Sequence, residues 1–93
     1  MPPSAALAEL TRLQEREEQG VRAIEEQRQQ LATLQALLED ATRRGKVAGG
    51  IEAQIRAREG ELARVEREVA ALRVAIEAAE QALPADLRDD DEA

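Results

Sequence analysis

The chain has 93 residues, enough for one domain, with a net charge of −7 and no His, Cys, Phe, Tyr or Trp. Those absences exclude a disulfide framework, a structural zinc site of the usual kind, and acid–base or nucleophilic chemistry built on His or Cys. The apolar residues are Ala, Leu, Val and Ile with one Met, 19 residues being Ala, and 35% of the chain is charged. This is the composition of a coiled coil or a long helix.

The N-terminal segment, residues 1–4, reads as a leader. Pro2 and Pro3 suit the approach to a helix, and Ser4 offers a hydroxyl to cap its first amides. Met1-Pro2-Pro3-Ser4 lacks the basic and apolar regions of a signal peptide, and no apolar stretch approaches a membrane span. A cytoplasmic location without membrane contact is therefore expected.

Residues 5–44 contain no Pro and a single Gly, Gly20, and predict a first helix about 60 Å long at 1.5 Å per residue. Leu7, Leu10, Val21, Ile24, Leu31 and Leu38 fit one heptad frame, which also places Gln14, Glu17, Arg28 and Gln35 at seam positions. Leu13, Leu34 and Leu37 lie beside that seam and widen it. Around Gly20, which costs roughly 1 kcal/mol relative to Ala, a weak or bent stretch is expected. Arg43 and Arg44 suit the last turn of a helix, and Gly45 is a candidate for its left-handed terminating residue.

Residues 45–50, Gly45-Lys46-Val47-Ala48-Gly49-Gly50, read as a Gly-rich turn. The segment lacks the order of Gly, Lys and hydroxyl residues, and the preceding strand, that a phosphate-cradling loop requires. Residues 51–83 predict the second helix, stopped by Pro84. Ile51, Ile55, Arg58, Leu62, Val65, Val69, Leu72, Ile76, Ala79 and Leu83 follow alternating steps of four and three, the signature of a coiled-coil seam with one polar position. Arg58 is expected to meet Glu39 or Glu59, and Arg28 likewise to find an acid or solvent. Residues 84–93 form an acidic tail, expected to be disordered.

Two seam-bearing helices joined by a short Gly-rich connection predict an all-α antiparallel coiled-coil hairpin. Each helix of such a hairpin buries one stripe, so a second copy completing a four-helix bundle is a natural extension, and a homodimer is expected. Ala63, Ala70, Ala71, Val74 and Ala78 would form a small-residue outer surface on the second helix. Residues 28–83, with Leu37-Leu38-Glu39 before Gly45 and Glu61-Leu62-Ala63-Arg64-Val65-Glu66 after it, resemble helical hairpins in general. Those segments are similar to the coiled-coil insertions of large serine recombinases. The chain's size and its Arg43-Arg44-Gly45 turn resemble the small type III secretion co-chaperones, from which it departs in having no aromatic residue. Many unrelated coiled coils share this pattern, and no family membership follows from it.

The function expected is that of a non-enzymatic protein–protein interaction module: an adaptor, co-chaperone or assembly subunit, with a protein partner or itself. No cofactor, metal or direct nucleic-acid contact is expected. The interface residues are Leu31, Leu34, Leu37 and Leu38, the first-helix patch expected to meet a partner, with Ile55, Leu62, Val65, Val69, Leu72 and Ile76 of the second-helix seam. The alternative is an acidic regulator that occupies a partner's basic nucleic-acid-binding groove. It depends on Asp86 to Glu92 and the flanking rows of Glu, and requires binding that falls steeply with salt.

Overall fold

The computed structural model describes residues 3–84. Residues 85–93 of the acidic tail and the first two residues of the leader lie outside the described residues. Helix α1 runs Pro3–Arg43 and helix α2 runs Gly49–Ala82. They pack against each other as a hairpin with extents of 64 × 25 × 14 Å. The all-α antiparallel hairpin expected from the sequence is what the chain forms.

The helix ends differ from expectation by one or two residues, each for a local reason. Helix α1 starts at Pro3, so Ser4 lies inside the first turn rather than capping it. Proline is favoured at a first helical position because its φ is preset and no amide hydrogen is left without a partner. At the other end Gly45 takes φ 68°. Its N–H donates to the Thr42 carbonyl at 3.1 Å, and the Lys46 N–H donates to the Ala41 carbonyl at 2.9 Å. This pair of bonds is the Schellman arrangement, which satisfies carbonyls that the helix end would leave open. Arg43 and Arg44 both reach the Asp40 carboxylate, at 3.6 and 3.2 Å. Helix α2 begins two residues earlier than expected, at Gly49, after Ala48, which provides no side-chain cap. It ends at Ala82 because Pro84 drives Leu83 into an extended conformation with ψ 148°. Leu83 is nonetheless buried, against Leu10 and Ile76, with Ala6, Leu13 and Ala79 around them.

The seam of α2 is the one read from the sequence. Ile55, Val65, Val69 and Ile76 are buried, and Ile51, Leu62, Leu72 and Ala79 are half-buried. The seam of α1 is not. Its inward residues are Ala6, Leu10, Leu13, Glu17, Gly20, Ile24, Gln27, Leu31, Leu34, Leu38 and Ala41, all buried or half-buried. They too follow alternating steps of four and three. Half of the expected frame, Leu10, Glu17, Ile24, Leu31 and Leu38, is correct. The other half lies one residue too far along: Leu7, Gln14, Val21, Arg28 and Gln35 are exposed. Leu13 and Leu34 belong to the seam itself.

Gly20 is the point that fixes the alignment. A Cβ at Gly20 would lie 2.5 Å from the Val69 Cγ2 atom, and Val69 is the most buried of the described residues, 3% exposed. Helix α1 is continuous through Gly20, so the expected weak stretch is instead a place of close approach. Counting from Gly20 opposite Val69 in equal and opposite steps sets Leu13 level with Ile76, Ile24 with Val65, and Leu34 with Ile55. The whole seam of one helix thereby meets the whole seam of the other.

The remaining glycines allow a test of these assignments. Gly45, in its left-handed conformation, is intolerant of a Cβ despite open space around it. Gly60 lies within α2, with nothing within 4 Å of an added Cβ and no positive φ. Gly45→Ala should lower the urea midpoint, by about 1 kcal/mol of stability, and Gly60→Ala should raise it by a similar amount, about 1 kcal/mol.

Candidate interaction surface

The structure places most of the expected interface residues within the chain's own seam. Leu31 is 8% exposed, Leu34 and Leu38 are half-buried, and all three face α2. Leu37, 51% exposed, is the member of that patch that faces outward. Ile55, Leu62, Val65, Val69, Leu72 and Ile76 face α1. Of the first-helix patch expected to meet a partner, Leu37 is thus the residue left exposed, while Leu31, Leu34 and Leu38 cover the second helix.

The other exposed large apolar residues lie elsewhere. Leu7 and Val21 stand on one edge of α1, Val47 at the turn and Val74 on the outer face of α2. Ala70, Ala71 and Ala78 are exposed near Val74, whereas Ala63 is half-buried. Leu7 and Val21 occupy positions directly beside the seam, which is why a heptad reading of α1 alone drew them into it.

Val21 forms part of a shallow groove along one broad side of the hairpin, with Ile24, Val69 and Ala70 on its floor. Two ion pairs that bridge the helices border it. Arg28 Nη2 meets Glu66 Oε2 at 3.3 Å, and Arg73 Nε donates to Glu17 Oε2 at 2.8 Å. Arg28 is exposed and meets an acid, as expected. Glu17 sits in the seam and turns its carboxylate outward to Arg73, which explains how a charged residue occupies an inward position without being stranded. Arg58 is exposed, and among the described residues its expected pairing with Glu39 or Glu59 is not formed.

Other charges act within single helices. Arg64 pairs with Glu61 and with Glu68. The hydrogen bond from Arg64 holds the Glu61 carboxyl below its usual range. Gln27 lies in the seam, and its side-chain carbonyl oxygen is buried with no hydrogen-bond partner among the described residues. Such a group weakens the seam but disfavours misaligned pairings.

Among the described residues no cluster of three or more carboxylates is arranged to hold a metal ion. No described helix is long and apolar enough to cross a membrane. Neither family models nor curated protein sequences nor solved structures match this chain.

The bridging pairs are solvated, so each should contribute little. A double-mutant cycle of Glu17→Gln and Arg73→Gln should give a coupling of about 0.2–1 kcal/mol that shrinks toward zero in high salt. The same cycle on Arg58 and Glu39 should give none.

Proposed function

We propose that this chain acts by binding protein through the long sides of its hairpin, as an adaptor, co-chaperone or assembly subunit, and performs no covalent chemistry. The observation that carries this reading is the balance between what the hairpin buries and what it leaves out. Among the described residues no large side chain is completely enclosed, while Val21 is 42% and Val74 70% exposed. A single stripe per helix, without aromatic anchors, gives a small core. A helix or helical hairpin laid along the rod would cover these residues and thicken the core by the packing that already joins α1 to α2. The composition supports the non-enzymatic part of the reading, since the usual nucleophile–base pairs with His or Cys cannot be assembled from this chain. We place this activity in the cytoplasm.

The reading is tested by incorporating a photo-crosslinking amino acid at Val21, and separately at Val74, in the cell from which the protein comes. Covalent adducts of discrete mass with a protein, a second copy included, are the expected result. Labelled chains that form no protein adduct from either position would contradict the reading.

A further inference from the structure

The groove that contains Val21 lies halfway along the rod. Helix α1 runs Pro3–Arg43 and α2 runs Gly49–Ala82, so Val21 and Ile24 are near the middle of one helix, and Val69 and Ala70 near the middle of the other. The groove opens on a broad side of the hairpin. A two-fold axis crossing the rod at this point would bring the groove against its own copy and make the two rods overlap from end to end. Contacts of this kind are self-complementary and close on themselves as a dimer.

The two ends of the rod carry opposite charge. Residues 31–58, the level segments around the turn, hold five cations against Glu39, Asp40 and Glu52, a net of +2. At the other end, residues 3–18 and 70–84 hold six acids against three arginines, a net of −3. Rods stacked in the same direction would place two cationic tips together and two acidic ends together. Stacked in opposite directions, each tip lies over an acidic end. Screening over about 8 Å at physiological salt limits the strength of this effect, but complementary charge remains effective in selecting orientation.

Area is also sufficient. The broad side measures 64 × 25 Å, about 1,600 Å² in projection, against the roughly 800 Å² per partner that a standard stable interface buries. Even half coverage would meet that requirement.

We infer that the partner of this groove is a second copy of the chain, stacked in the opposite direction across Val21, Ile24, Val69 and Ala70 to form a four-helix bundle. The inference rests on the protein-binding reading above and specifies its partner and geometry.

The chain has no Cys, and Val47 at the turn is 99% exposed, so Val47→Cys accepts a single spin label without disturbing the seam. Light scattering coupled to gel filtration, with refractive-index detection, should give the mass of two chains. Pulsed dipolar spectroscopy on the labelled protein should give a tip-to-tip distance close to the 64 Å length of the rod. Val21→Arg, and independently Ala70→Arg, should reduce the mass to one chain while circular dichroism stays helical. A one-chain mass for the unsubstituted protein would overturn the inference, as would a tip-to-tip distance of only one or two helix diameters. A dimer that survives both arginine variants would place the interface elsewhere and equally overturn it. A folded monomer leaves the broader reading standing, since that reading fails only if no protein adduct forms at all.

Discussion

The hairpin depends on one close approach, the packing of Val69 against the bare backbone of α1 at Gly20. The Val69 methyl occupies the space where a Cβ at Gly20 would stand. Seams with steps of four and three can slide by a heptad and still present apolar residues to each other, so apolar pattern alone leaves several alignments nearly equal. Only one alignment places the valine in the notch. The cost is a glycine within a helix, roughly 1 kcal/mol in intrinsic propensity. What is gained is a fixed register, on which the Leu10–Ile76–Leu83 cluster and the two bridging ion pairs follow.

Much of this architecture was legible in the sequence, and what was not has a physical cause. The α2 seam was clear because almost every inward position holds Ile, Leu or Val. In α1, half the inward positions were found, because Leu10, Ile24, Leu31 and Leu38 are large and apolar. The other half were misplaced by one residue, because the frame that puts Gln14 and Gln35 where Leu13 and Leu34 belong is set by preferring Val21 to Gly20 and Leu7 to Ala6. The structure selects the small residues there, since small residues allow two backbones to come together. The signal that identifies them is relational: Gly20 is a defect in α1 considered alone and becomes a fit only opposite Val69. For the same reason Leu34 looked like surplus apolar surface beside Leu31 and Leu38 until the corrected frame turned it, with them, toward α2.

Charge is arranged around this seam more than within it. Glu17 escapes the interior by pairing outward with Arg73, Arg28 beside the seam meets Glu66, and Arg58 stays in solvent. Gln27 is the polar group that the seam does bury. A thin, partly polar core of this kind fixes alignment at the expense of stability. The groove at the centre of the rod is a product of the same register, because it needs Val21 and Ile24 of one helix level with Val69 and Ala70 of the other. The opposed charges at the ends follow instead from the order of residues along the chain.

The register is tested most directly by the urea midpoints of Gly20→Ala, Val69→Ala and the double variant, measured at one protein concentration. With Val69 in the notch, Gly20→Ala should lower stability, since overpacking costs about 1–3 kcal/mol and outweighs the gain in helix propensity. In the Val69→Ala background the notch is empty, and Gly20→Ala should then raise stability by about 1 kcal/mol. If Gly20→Ala instead stabilises the unsubstituted chain, Gly20 faces solvent, and the register of the hairpin is not the one described.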